Sequence, residues 1–429
     1  MSLFGTSGIR RLFDRELVVL AFKVGMAVGK TCGRAVVGRD TRTSGPALEN
    51  AFMAGVLTSG AECQDAGIIP TPTLGYATRH FDVGVMITAS HNPPEYNGMK
   101  LWNPDGSAFS PEQEREIDKL VSSDAFTSVS WDKLKTAGVY ETAIEEHIQR
   151  ITQGFPAPLK VKVVVDCGGG AASVITPHLL RKLGCEVVEI NCQPTGFFPR
   201  PSEPAESNLS ELIRAVGEHG AHAGIAHDGD ADRMMAVDDK GRFIPGDKLM
   251  AMLAQAQRAK EIYTTIDASM SIDEMGFKVR RTRVGDTAVS HELKCGGDFG
   301  GEPSGSWIFP HVSLCPDGIY AAAQIAAIAS QHKLAELAER IPAYPIRRGS
   351  VSSAGVAISQ LESKLTTLKP ASMANTDGFK LNFNDGWLLI RPSGTEPKIR
   401  LTAEAKTEAR AQKLYESGMD AIKSIKRGS

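Results

Sequence analysis

The chain reads as an α/β protein of several domains, and three observations predict it. Short apolar runs alternate with longer amphipathic stretches, as buried strands and the helices that cover them do. At 429 residues the chain exceeds what one hydrophobic core organises, so about two to four domains are expected. Its 42 glycines and 23 prolines supply many tight, specialised loops between the elements.

Residues 35–37, 83–88, 161–165 and 223–226 are expected to be buried strands. Phe155, Pro156 and Pro158 break the composition ahead of a fresh strand, and Pro342 and Pro345 follow an Ala-rich helix expected around 319–340. A softer border falls near Asp247. The domains are therefore set at 1–154, 155–247, 248–345 and 346–429. The last segment holds a strand at 387–390, the run RPSGTEPKIRLTAEA and a charged helical pattern from Lys406, which reads as a separate α+β unit. An apolar segment entering a Gly/Ser/Asp loop recurs at VGVMITASHN, AGIAHDGDADR and CGGDFGGEPSG. Either three related α/β units or chance among so many glycines accounts for it.

With 48 basic against 50 acidic side chains, the net charge of −2 gives no long-range field to gather nucleic acid or an anionic membrane. An anion site must be local. The seven cysteines are scattered without CxxC spacing, so no disulfide framework or zinc site is indicated and a reducing cytoplasm fits. The start, MSLFGTSGIRR, lacks a basic region followed by an apolar one, and no stretch reaches the roughly 18 apolar residues of a membrane span. A soluble, cytoplasmic protein is expected.

Chemistry concentrates in the loops. Asp228, Asp230 and Asp232 follow an apolar strand in HDGDADR, and in an extended segment alternate carboxylates face one way and suit a hard divalent cation such as magnesium. A calcium loop is the rival, but Arg233 stands where its glycine is needed. A solvated acidic turn is the plain alternative. Ser90, with His91 beside it, sits where a strand ends, exposed to activation or to carrying a phosphoryl group. A turn or helix cap explains the same residues, and no GxSxG elbow supports a hydrolase triad. Arg391, Ser393, Gly394 and Thr395, with Arg400 close behind, join a Gly turn, hydroxyls and guanidinium groups into a compact anion pocket. The Gly5–Arg10 run repeats that chemistry in miniature. Glu302 and Ser304 in GEPSG offer a carboxylate and a hydroxyl to sugar hydroxyls, or form a plain turn. Lys100 is either a surface lysine or an acid/base whose pKa is lowered by neighbouring cations and desolvation.

Taken in order, FGTSGIR, TASHNP, NGMK, DGDADR, GEPSG and RPSGTEPKIR resemble the α-D-phosphohexomutase superfamily over residues 4–400. The resemblance implies four domains in a heart-shaped arrangement, three similar α/β units and a C-terminal phosphate-binding α+β domain. It implies Ser90 carried as phosphoserine, and one Mg²⁺ held by that serine with Asp228, Asp230 and Asp232. It implies too that Arg10, His91, Lys100 and Arg233 complete the catalytic set, that Glu302 and Ser304 contact the sugar, and that Arg391, Ser393, Gly394, Thr395 and Arg400 grip the phosphate that is not reacting. The partner implied is a small sugar phosphate, with a hexose bisphosphate as intermediate and activator, and the assembly expected is a monomer or homodimer. Within the family, Ser306 stands where many phosphomannomutase/phosphoglucomutase members have histidine, and TRVGD at 282–286 is similar to phosphoglucosamine mutases, with Thr287 replacing the arginine often found next. Glucosamine phosphate is the expected substrate, with a phosphomannomutase/phosphoglucomutase as the alternative. A non-catalytic sugar-phosphate sensor and a phosphatase are the readings from other classes.

Overall fold

A computed structural model describes residues 3–5, 7–156, 158–353, 358–393 and 398–426. Four sheets follow one another along the chain. The first has six strands in the spatial order Ile9–Leu12, Tyr96–Trp102, Val83–Ile87, Arg34–Arg39, Glu62–Ile68, Ala137–Val139. The second runs Met234–Val237, Ala223–His227, Lys162–Asp166, Glu186–Ile190, and the third Lys278–Thr282, Glu261–Thr265, Phe299–Gly301, Trp307–Ile308. The fourth is wholly antiparallel: Ile346–Ser352, Lys398–Ala405, Gly386–Pro392, Phe379–Phe383, Ser372–Ala374. The α/β class and the separate C-terminal α+β unit are both present.

The recurrence of three apolar segments entering polar loops has a common geometry. Val83–Ile87, Ala223–His227 and Phe299–Gly301 each lie parallel to one neighbour and then turn back into an antiparallel partner, Tyr96–Trp102, Met234–Val237 and Trp307–Ile308 respectively. The connecting loop leaves the carboxyl end of a parallel strand each time, where side chains of an α/β sheet meet ligands. One expectation needs correcting. The helix expected around 319–340 is two, Gly318–Ala329 and Leu334–Arg340, because the polar residues Ser330, Gln331 and His332 between them do not continue the apolar face. Asp317 caps the first of these by accepting the Tyr320 N–H.

The cores show how the units are joined. Strands and helices of the second and third sheets share one continuous buried cluster, from Ile148 through Val163, Ile225, Leu249 and Phe299 to Ile341. No apolar break marks the border near Asp247. The first sheet packs its own core against the helices Arg15–Thr31, Gly45–Thr58 and Pro111–Ser123. The fourth sheet packs one face on its own helices and meets the third domain through a small patch of Ile266, Trp387 and Leu389. Polar contacts fasten that patch. The buried Glu404 carboxylate accepts from Ser269 Oγ (2.5 Å), Met270 N (2.7 Å) and Trp387 Nε1 (2.6 Å), and Lys380 Nζ donates to the Ile266 carbonyl (2.6 Å). Among the described residues, no helix is long and apolar enough to cross a membrane.

Candidate active site

Ser90 lies in the loop between Val83–Ile87 and Tyr96–Trp102, buried, with φ at +53°. A non-glycine residue in this left-handed region costs on the order of 1 kcal/mol or more, so the surroundings must hold it there. The Ser90 N–H donates to Thr88 Oγ1 (2.8 Å), and Ser90 Oγ donates to Asp228 Oδ2 (2.8 Å). His91 Nδ1 is 3.4 Å from the same hydroxyl.

The acidic loop is a tight turn in the middle, not the extended segment expected. Ala231 takes φ +57°, so the turn gathers Asp228, Asp230 and Asp232, and strand alternation plays no part. Gly229 is needed for the close approach, since a Cβ there would lie 2.6 Å from the Ser90 carbonyl oxygen. One carboxylate oxygen from each aspartate lies within 4.8 Å of the others, and this is the one such trio of potential ligands among the described residues. Asp228 Oδ1 accepts from Arg233 N (3.1 Å), while Asp230 Oδ2 accepts from Thr71 Oγ1 (2.5 Å) and Lys100 Nζ (2.7 Å), and Asp232 Oδ2 from Lys100 Nζ (2.5 Å). Asp230 Oδ1 and Asp232 Oδ1 are buried without a hydrogen-bond partner. Buried carboxylate oxygens without a partner are costly unless a cation meets them, and the three acids lie close enough to share one, so the donor set fits a hard divalent ion.

The electrostatics point the same way. Burial, reinforced by Asp232 and Asp230, raises the Asp228 carboxyl above its usual range, and burial with Asp230 does the same to Asp232. At Asp230 burial also pushes upward, but Lys100 outweighs it and the pKa falls. Lys100 corrects an expectation. Burial alone would lower its pKa, yet the two carboxylates it touches raise it above normal, the opposite of the expected direction. His91 is the reverse: burial, then Arg233, Arg10 and Lys100, lower it to about 2, so the imidazole is neutral.

A cleft of about 1180 Å³ joins all four domains. Ser90, His91 and Arg10 line it from the first, Asp232 and Arg233 from the second, Glu302 and Ser304 from the third, Arg391 and Arg400 from the fourth. Asp228, Asp230 and Lys100 lie buried directly beneath, in contact with these residues. Arg10 donates to Asn92 Oδ1 (3.1 Å), and Arg233 to Glu203 Oε1 (3.3 Å). An isolated bridge between Arg233 and Ser306 ties the acidic loop to the GEPSG loop. Glu302 Oε1 accepts from Gly285 N (2.9 Å), and burial, then Asp286 and Asp267, push its pKa up to about 8.

Arg391 and Arg400 are direct cross-strand partners on the face of the fourth sheet that looks into the cleft. Like charges placed opposite each other repel, which an anion between them would relieve. Ser393 closes the strand end by donating its N–H to the Lys398 carbonyl (2.8 Å) and does not line the cleft. Gly394 and Thr395 lie outside the described residues.

Three residues escaped the sequence reading. Arg348 lines the cleft from the strand beside Lys398–Ala405, paired with Thr402 and so on the same face as Arg400. Its only sequence signal is a pair of arginines entering a strand. Asp40 and Arg42, in GRDTRTSG after a buried strand, pack under the Ser90 loop; an acidic and a basic residue two apart at a strand end could have flagged them.

Comparison with known proteins extends the picture to the whole chain. Residues 1–128, 140–241 and 245–344 match the phosphoglucomutase/phosphomannomutase alpha/beta/alpha domains I, II and III, and residues 349–420 match the C-terminal domain of the same family. The chain is 47% identical to a probable phosphoglucosamine mutase of Methanococcoides burtonii, covering 99% of each. It is 42% identical to a phosphoglucosamine mutase of Methanococcus maripaludis, again covering 99% of each. Among solved structures it superposes on a phosphoglucomutase/phosphomannomutase family protein of Burkholderia thailandensis with a TM-score of 0.87 and 26% identity, covering 100% of this chain and 98% of that one. An Aspergillus fumigatus N-acetylphosphoglucosamine mutase, in complex with GlcNAc-6P and magnesium, shares the fold at a TM-score of 0.62 and 16% identity, covering 99% and 96%.

Proposed function

The chain belongs to the phosphoglucomutase/phosphomannomutase family of phosphohexomutases, and from that premise we propose that it interconverts glucosamine 6-phosphate and glucosamine 1-phosphate through Ser90. The observation that carries the reading is one cleft lined both by Ser90, whose hydroxyl donates to Asp228, and by Arg348, Arg391 and Arg400 of the fourth domain. The first group suits a reacting phosphoryl group and the second an unreactive phosphate.

Phosphoserine 90 gives its phosphoryl group to the free hydroxyl of a sugar phosphate: the bond from phosphorus to Ser90 Oγ breaks as the bond to the sugar oxygen forms. The bisphosphate turns round in the cleft, and its other phosphoryl group returns to Ser90, leaving the isomer. Asp228, Asp230 and Asp232 would hold one magnesium ion with the serine's oxygen, and that ion supplies positive charge for the transferred group. Lys100, Arg10 and Arg233 add fixed cations around the same group, the main task in phosphoryl transfer. Arg391 and Arg400 hold the far phosphate in either orientation. Glu302, unionised below about pH 8, and Ser304 offer hydrogen bonds to the sugar hydroxyls.

Ser90→Ala tests this directly. We expect isomer exchange to be lost while calorimetric binding of the sugar phosphate persists, and the intact mass of the wild type to show one phosphate that the variant lacks. Exchange persisting in the variant would refute the covalent route. Initial rates on glucosamine, glucose and mannose phosphates test the substrate, and a strong preference for mannose phosphate would overturn glucosamine. Steady release of inorganic phosphate without isomer would favour the phosphatase reading.

A further inference from the structure

Arg42 is 1% exposed, and all five N–H groups of its guanidinium are used. Nε donates to Asp40 Oδ2 (3.0 Å). One terminal nitrogen donates to the carbonyls of Pro93 (2.7 Å) and Tyr96 (2.9 Å), the other to those of Ser90 (2.9 Å) and Asn92 (2.7 Å). Asp40 is itself fixed, accepting the Arg42 N–H (2.9 Å) and the Thr88 hydroxyl (2.6 Å), and Thr88 Oγ1 accepts the Ser90 N–H (2.8 Å).

Four carbonyl oxygens from one short loop therefore converge on a single cation. Ser90 O also accepts from Ser202 Oγ (3.3 Å) and Pro93 O from Tyr96 N (3.0 Å), but without the guanidinium the four carbonyl dipoles would converge with no charge between them, and the loop would turn them apart. The direction of the Ser90 carbonyl is coupled to that of its side chain. In the left-handed conformation at φ +53°, the carbonyl points inward to Arg42 while Oγ points across to Asp228.

We propose that Arg42 is a positioning residue for phosphoryl transfer, its planar fork holding the Ser90 loop so that the hydroxyl faces the acidic trio. Arg42 does not line the cleft, so it acts through the loop and not on the substrate. The inference rests on Ser90 being the phosphoryl carrier. Lysine cannot replace the fork, because an ammonium has three donors on a point charge where five in a plane are used.

The test compares wild type, Ser90→Ala, Arg42→Lys and the nearly isosteric Thr88→Val, all scaled to the folded fraction. Two quantities are read: kcat and KM for isomerisation, and the single-turnover rate at which a hexose bisphosphate phosphorylates Ser90, followed by intact mass. Arg42→Lys is expected to lower kcat and the loading rate together by about 100-fold, with KM within about threefold of wild type. Thr88→Val is expected to lower both by about tenfold, and it decides the matter if Arg42→Lys does not fold. A purely structural role would reduce the folded fraction and leave the loading rate per folded molecule unchanged. Loading at the wild-type rate in a folded variant, or a raised KM with kcat intact, overturns the inference. If Ser90→Ala loses loading while Arg42→Lys and Thr88→Val behave as wild type, only the role of Arg42 falls; if Ser90→Ala still turns over, the carrier reading falls and this inference with it.

Discussion

Replacing Glu302 by glutamine separates a carboxylic acid from a carboxylate at the sugar-facing wall. Glu302 is buried beside Asp286 and Asp267, and its pKa rises from the usual 4.5 to about 8. That displacement corresponds to about 5 kcal/mol against ionisation in the folded protein. The folded state binds the proton more tightly than the unfolded chain, so this stability is fully present below pH 4.5 and is lost as the pH rises to about 8. The amide of Glu302→Gln has no proton to lose. Its margin over wild type should therefore grow between pH 4.5 and 8 and level off above, reaching at most about 5 kcal/mol. Melting midpoints of the two proteins from pH 5 to 9 read the margin. Activity gives a second check: at pH 7 the variant should keep kcat/KM within about threefold, since both groups are neutral hydrogen-bonders, and the fall of the wild-type profile above pH 8 should be absent from the variant. A margin independent of pH, or a variant 100-fold slower at pH 7 beside a flat wild-type profile, would refute the reasoning.

Asp232→Asn should weaken magnesium binding at least about tenfold, measured by calorimetric titration of the metal alone, because it removes one of three charges and one of two unpaired buried oxygens. Unchanged affinity would place the metal elsewhere. Glu404→Gln should loosen the docking of the fourth domain by about 2–3 kcal/mol, since Ser269 Oγ and Met270 N of the third domain lose a carboxylate acceptor. A larger radius of gyration for the ligand-free variant in small-angle scattering is the expected result, and identical scattering curves would contradict it.

Residue types and their order were enough to name the chemistry. A Ser-His-Asn loop at a strand end, a DGDADR turn, GEPSG and RPSGT each carry donors and acceptors whose capacities are properties of the side chains themselves, legible wherever they stand in a chain. The α/β alternation was legible for the same reason, because apolar runs must be buried whatever their partners. Everything that depends on distance was decided by the tertiary structure. Ser90 and Asp228 are 138 residues apart in sequence and 2.8 Å apart in space. The acidic trio is gathered by a left-handed turn at Ala231, a residue whose type gives no warning of it. Whether Lys100 gains or loses its proton turned on which charges came within reach: spacing suggested cations, and folding placed it between two aspartates. Arg348 and Arg42 left only faint signals for the same cause, since an arginine in a strand or a buried loop acquires its task from the face it shares or the carbonyls folded around it. Covalent identity determines what each group can do, and the fold determines to which atom it does it.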